Sequence, residues 1–310
     1  MNATGPVPEQ PPPAPVGEGL LALPPGRMVR LAGRGEVFAR RCGEHHPGPP
    51  LLLLHGWTVT ADINFWGCYG VLAEQHEVIA LDHRGHGRSS RPEGRFTLES
   101  CADDAAALLD ALGCGPVVAV GYSMGGPVAQ LLWQRHRRHT AGLVLAATAG
   151  SFRVGRGDRV YFGAFDRLAA AARRAPPALA EQAFARARSG RLSRLTLEDW
   201  ALADMALGDA LALLEAGAAL GGFSSATWAS RIDVPTAVVV TERDTKVAPA
   251  RQHELAAAIR GAATFSADAD HHDIHREPDE VLPALVAACA DVVGRARAAD
   301  GRAEGAELSG

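Results

Sequence analysis

The chain has 310 residues, 47% of them hydrophobic, and a formal net charge of −4. That is enough material for one large domain or for a domain carrying an insertion. Charges of both signs are spread along it, which argues against a nucleic-acid partner, and no apolar run is long enough to span a bilayer.

Residues 1–26 contain Pro11-Pro12-Pro13 and read as a disordered or polyproline II arm. They lack the basic start and apolar centre of a signal peptide. A P-x-x-P ligand is the alternative to a plain flexible tail. Five scattered cysteines, Cys42, Cys68, Cys101, Cys114 and Cys289, form no C-x-x-C pair. That argues against a disulfide framework or a cysteine zinc site and for a reducing, cytoplasmic location.

Arg27 to Leu31 and Glu36 to Arg40, joined by Gly33-Arg34-Gly35, predict a hairpin. Short apolar runs at Leu51 to Leu54, Val78 to Leu81, Val117 to Val120, Leu143 to Ala146, Ala237 to Val240 and Ala263 to Ser266 predict further strands. Helical spacing falls between them at Leu98 to Leu112, with Asp103 and Asp104 on its wet side, and at Pro127 to His136, Arg251 to Ile259 and Asp279 to Arg297. Strands alternating with helices imply a mainly parallel sheet covered on both faces.

Residues 151–230 break the alternation and read as a helical insertion split at Pro176-Pro177, leaving residues 27–150 and 231–297 as the core. Phe152, Tyr161, Phe162, Phe165, Phe184, Trp200, Phe223 and Trp228 are expected mostly in the insertion's own core, with a few facing what lies beneath. Residues 298–310 are expected to fray.

The densest chemistry is Gly121-Tyr122-Ser123-Met124-Gly125. A strand runs into it and a helix leaves it, the context in which Gly-x-Ser-x-Gly exposes a serine hydroxyl at a sharp turn. A serine hydroxyl needs a base, a group to orient that base and donors for an oxyanion. Asp270-His271-His272-Asp273-Ile274-His275, after the last strand, supplies the candidate bases. A metal reading of His272, Asp273 and His275 takes second place, since no H-E-x-x-H pattern or second ligand cluster accompanies it. Asp244, just past the strand Ala237 to Val240, is the best-placed acid, with Glu242 as fallback; Asp233 lies at the opposite strand end. The Met124 N–H and, from the loop His55-Gly56-Trp57, the Trp57 N–H are the expected oxyanion donors. His55 is expected to fix that loop rather than to act as a second base. Asp82-His83-Arg84-Gly85-His86-Gly87-Arg88-Ser89 forms a tight polar loop without the Gly-Lys-Ser/Thr ending of a nucleotide site.

Taken in this order, the four motifs resemble the α/β-hydrolase family, in its esterase, lactonase and cofactor-free haloperoxidase-like branch, over roughly Arg27 to Arg297. The resemblance implies an eight-stranded, mostly parallel sheet with antiparallel first strands and a helical cap after the sixth. By the same resemblance Ser123 is the nucleophile, Asp244 the acid and His271, seven residues before Pro278, the base. Asp270 stands where the family usually has Gly, and a one-residue slip would select His272. No cofactor or metal is implied. The expected partner is a small-molecule acyl substrate, small to medium and partly apolar. Ser123 argues against relatives that carry Asp at this turn, the haloalkane dehalogenases and epoxide hydrolases. Carbon–carbon bond hydrolases, perhydrolases and a non-catalytic ligand receptor remain as alternatives.

Overall fold

The computed structural model describes residues 21–91, 94–174, 204 and 207–307. Residues 1–20, and with them the centre of the proline-rich arm, lie outside the described residues, as do Pro176, Pro177, Phe184 and Trp200.

Eight strands form one sheet: β1 (Gly26–Leu31), β2 (Gly35–Cys42), β3 (Leu51–Leu54), β4 (Val78–Leu81), β5 (Val117–Tyr122), β6 (Thr140–Ala146), β7 (Thr236–Thr241) and β8 (Ala263–Ala267). Their order is β1-β2-β4-β3-β5-β6-β7-β8. β1 pairs antiparallel with β2, and β2 antiparallel with β4; the remaining pairs are parallel. The β1–β2 turn has Gly33 at φ 69° and Gly35 at φ 91°, backbone that favours glycine.

The central strands are apolar without alternation because both faces of the sheet are covered. Leu52 and Leu54 of β3 enter one core cluster, while Leu51 and Leu53 enter the other. All four are fully buried, each worth roughly 1.5–3 kcal/mol relative to exposure. On the first face lie α3 (Leu98–Leu112) and α4 (Gly125–Arg135). On the second lie α1 (Ala61–Phe65), α2 (Tyr69–Ala73) and the long C-terminal helix (Pro278–Glu307). Thr97 caps α3 by accepting from the Ser100 N–H at 3.0 Å, and Gly113 ends it at φ 64°.

One expectation needs correction. Asp104 is buried rather than on the wet side of α3. Arg34 Nε, from the hairpin turn, donates to it at 2.7 Å, and Arg84 donates twice at 2.6 Å. Two guanidinium groups brought from elsewhere make that burial possible, and helical spacing alone does not register them. The helix that begins at Pro278 runs to Glu307, and residues 308–310 lie outside the described residues.

Between β6 and β7 the described residues include α5 (Arg156–Arg174) and α6 (Ala210–Gly222), packed on each other, with a single bridge between Ser151 and Ser224. α6 docks on the loop after β4. Asp209 N–H donates to the Gly85 carbonyl at 2.8 Å, and a Cβ on Gly85 would run into Ala212. Among the described residues no helix is long and apolar enough to cross a membrane.

Candidate active site

The turn after β5 brings Ser123 to the carboxyl end of the sheet at φ 52°, a left-handed conformation unusual for a side-chain-bearing residue. Such strain costs on the order of 1–3 kcal/mol and is held by surrounding contacts. Ser123 N–H donates to the Ala146 carbonyl at 2.9 Å, and the Thr148 hydroxyl donates to the Ser123 carbonyl at 2.7 Å. Both flanking glycines are sterically required: a Cβ on Gly121 would meet the Gly125 carbonyl oxygen, and one on Gly125 would meet the Leu54 carbonyl oxygen.

His271 comes from the loop between β8 and the short helix α8 (Asp273–Arg276), which precedes the C-terminal helix. Its Nε2 lies 2.9 Å from Ser123 Oγ, and its Nδ1 lies 2.8 Å from Asp244 Oδ2. With Nδ1–H donating to the carboxylate, Nε2 is left to accept the serine proton. The Tyr122 hydroxyl donates to the His271 carbonyl at 3.0 Å, and Asp273 Oδ2 accepts the Asp270 N–H at 2.6 Å. These two bonds set the path of the loop.

Asp244 is buried just past β7. Its Oδ1 accepts from the Lys246 and Val247 amides at 2.8 and 2.7 Å. Its Oδ2 accepts from Thr241 Oγ1 at 2.8 Å and Gln252 Nε2 at 3.2 Å. Gln252 lies on the helix that follows, α7 (Pro249–Ala258). Glu242, the fallback acid, instead accepts from Ser266 Oγ at 2.7 Å, and Asp233 accepts from Trp133 Nε1 at 2.9 Å. Neither joins Ser123 and His271. His272 stacks edge-on against His271 and His275. Burial above all, with Arg276 and the adjacent imidazoles adding to it, lowers His272 and takes His275 down to about 4, so both are neutral at pH 7. Among the described residues no group of three or more His, Cys, Asp or Glu is arranged to hold a metal.

Gly56 abuts Ser123, since a Cβ on it would lie 3.4 Å from Ser123 Cβ. Neither the Trp57 nor the Met124 amide has a partner among the described residues, and Met124 sits at the N-cap of α4, where amides lack intrahelical acceptors. The loop is fixed from behind. Asn64 Oδ1 accepts the Gly56 N–H at 2.6 Å, and Asn64 lies on α1. Asp82 in turn accepts the Ala61 N–H at 2.9 Å, and Asp62 accepts from Arg40 at 2.6 Å and lies 2.8 Å from Arg88. His55 Nε2 accepts the His83 N–H at 2.8 Å, and its Nδ1 lies 2.7 Å from the Gly56 carbonyl. Burial lowers His55 to about 4, so the ring is neutral and serves as a strut. Asn64, Tyr122, Thr148 and Gln252 were not singled out by sequence; each is an isolated polar residue whose partner lies on another element.

A cavity of about 1030 Å3 opens over Ser123 and His271, large for a small-molecule site. Phe152, Tyr161, Phe162 and Phe165 line it, together with Leu213 and Leu214 of α6. Phe152 and Phe162 also belong to the core cluster, and Phe223 and Trp228 pack together with Trp133.

Residues 49–278 match the family model described as alpha/beta hydrolase fold, and the chain belongs to that family. It is 35% identical over 150 residues to the dihydrolipoyllysine-residue acetyltransferase component of the acetoin cleaving system of Pseudomonas putida (48% of this chain, 35% of the relative). It is also 35% identical over 121 residues to a non-heme haloperoxidase of Rhodococcus erythropolis (39% and 42%). The chain thus spans less than half the length of these curated relatives. Similar solved structures include a thermophilic esterase from Thermogutta terrifontis, with TM-score 0.67 and 25% identity over 87% of this chain and 99% of that one. Another is the enol-lactonase from Burkholderia xenovorans LB400, with TM-score 0.66 and 25% identity over 84% and 98%.

Proposed function

We propose that this α/β-hydrolase is a serine hydrolase that cleaves an ester, lactone or related acyl bond through a Ser123–His271–Asp244 triad. The observation that carries the reading is the continuous relay of 2.9 and 2.8 Å from serine oxygen through imidazole to carboxylate. In this reading His271 Nε2 takes the Ser123 proton as Oγ bonds to the carbonyl carbon. The oxygen turns negative and is held by the Trp57 and Met124 amides. His271 then gives its proton to the leaving group as the carbon–oxygen bond breaks. Water adds by the same route, its proton passing to His271, and the acid departs as Ser123 regains a proton. The insertion acts as the cap, and its aromatic wall suits a small to medium, partly apolar substrate. The names of the esterase and enol-lactonase relatives agree with this class. The cytoplasmic location expected from the scattered cysteines, which carry free thiols, belongs to the same proposal.

The haloperoxidase relative supports one second reading. Hydrogen peroxide could replace water at the acyl-enzyme and release a peracid, which adding peroxide to an ester assay would detect. A fluorophosphonate should label wild-type protein at Ser123 and leave Ser123→Ala unlabelled, with ester turnover falling about 10⁴-fold or more in the variant. A folded wild-type chain that resists the probe would favour a non-catalytic receptor and overturn the triad.

A further inference from the structure

We infer that the pocket selects substrates bearing a carboxylate remote from the reacting carbonyl, and that Lys246 and Arg276 receive that charge. The word substrate rests on the hydrolase reading above; the charge preference rests on the pocket itself.

Lys246 is the only lysine in a chain with 31 Lys and Arg residues, and it lines this cavity together with Arg276. It follows Asp244 by two positions on the loop after β7, and Arg276 ends α8, the helix after His271. Both cations therefore stand on the side of the pocket that carries the base. Among the described residues neither side chain has an ion-pair partner, and the described lining contains no Asp or Glu. That is a local reversal of sign in a chain of net charge −4.

Three of the carboxylates nearby in sequence are engaged elsewhere. Asp244 faces amides and the His271 ring. Asp270 takes Thr245 Oγ1 at 2.9 Å and the His272 N–H at 3.3 Å, and Asp273 takes the Asp270 N–H. His272 and His275 line the same side and, being neutral, can donate hydrogen bonds without adding charge. The insertion contributes an aromatic and aliphatic part of the lining, through Phe162, Phe165, Leu213 and Leu214. Two cations and an apolar lining in one cavity fit an amphipathic acid: a carbon chain along the aromatics and an anion against Lys246 and Arg276.

The test compares two esters of equal acyl length, 4-nitrophenyl pentanoate and mono-4-nitrophenyl glutarate, in full-length protein. Wild type should favour the glutarate ester by about tenfold in kcat/KM at low salt, the size expected of two exposed charge pairs. The preference should shrink as sodium chloride is raised. It should disappear in the double variant Lys246→Met with Arg276→Met and persist in Arg260→Met, which removes a cation at the opposite end of the sheet. No preference in wild type, or a preference retained in the double variant, overturns the inference even where ester hydrolysis itself is brisk. Calorimetric titration with glutarate and its diamide separates the two readings. If neither ester is hydrolysed but glutarate binds wild type more tightly than the diamide and the double variant does not, the anion site stands and the hydrolase reading falls. Equal binding of acid and diamide sinks the anion site.

Discussion

Two groups of histidines lie at the carboxyl end of one sheet and have opposite surroundings. His271, His272 and His275 border the open cavity, and His271 has a partner at each ring nitrogen. His55, His83 and His86 are packed ring to ring beneath the loop after β4, with 4.3 Å between the His55 and His83 centroids. Among the described residues, both ring nitrogens of His83 and Nε2 of His86 lack hydrogen-bond partners. Burial drives His86 to about 3 and His83 well down, with the neighbouring rings adding to it. One residue type thus does two jobs. A carboxylate behind the ring and a hydroxyl in front suit it to the proton transfer proposed above, whereas full burial suits it to a neutral spacer that fixes a loop.

The sharpest way to break this contrast is to remove the ring in the relay. His271→Ala should lower kcat/KM for an activated ester by about 10³–10⁴-fold or more, while His272→Ala should cost tenfold or less. Equal losses would place the base elsewhere. Asp244→Asn tests the group behind the ring. Its side chain keeps the shape but can present an N–H to the imidazole and favour the tautomer that cannot accept from Ser123, so kcat should fall about 10³–10⁴-fold with little change in KM. Circular dichroism and thermal unfolding should find all three variants folded.

How far these roles were readable in advance depended on the range of the contacts. Strands β3 to β7 announce themselves as apolar runs because each is buried on both faces, and Gly121 and Gly125 mark the turn because its sterics are local. Which of His271 and His272 meets Ser123 and Asp244 follows from the path of a loop held by the Tyr122 hydroxyl and the Asp273 carboxylate, bonds that no motif announces. Asp104 was misjudged for the same reason: Arg34 and Arg84 reach it from separate segments. The residues that hold Gly56 and its loop from behind, Asn64, Asp62 and Arg40, are scattered singly through the sequence and acquire a role only after folding.

The carboxylates repeat the contrast. Asp244 gathers two amides, a hydroxyl, an amide side chain and an imidazole. Asp204, in the insertion, has the Thr60 hydroxyl and is pushed up to about 6, by burial above all, despite Arg88. Its folded value exceeds its ordinary 3.8, so the stability it contributes is present below about pH 4 and lost as pH rises through 6. Asp204→Asn should therefore stabilise the chain by about 2–3 kcal/mol at pH 8 and by much less at pH 4.5, as read by urea unfolding at both. A difference that does not grow with pH would mean that Asp204 is ionised at little cost and that the contrast with Asp244 is illusory.

His86 gives the smallest and most specific effect. Its folded value of about 3 lies below the ordinary 6.5, so the unfolded chain takes up a proton at pH 5 that the folded chain refuses. The stability from this residue is complete above pH 6.5 and declines as pH falls toward 3. Between pH 7 and pH 5 the loss should reach about 2 kcal/mol, from 1.36 kcal/mol per pH unit over the part of that interval below 6.5. His86→Leu removes the titration and keeps an apolar group against Phe96, whose ring centroid lies 5.7 Å from that of His86. Leucine packs differently from imidazole, so absolute stabilities are not the comparison to make. The change in unfolding free energy from pH 7 to pH 5 should be about 2 kcal/mol smaller in the variant than in wild type. An unchanged slope would show that His86 is already protonated or solvated in the folded chain, and the early histidines would then share the open character of the late ones.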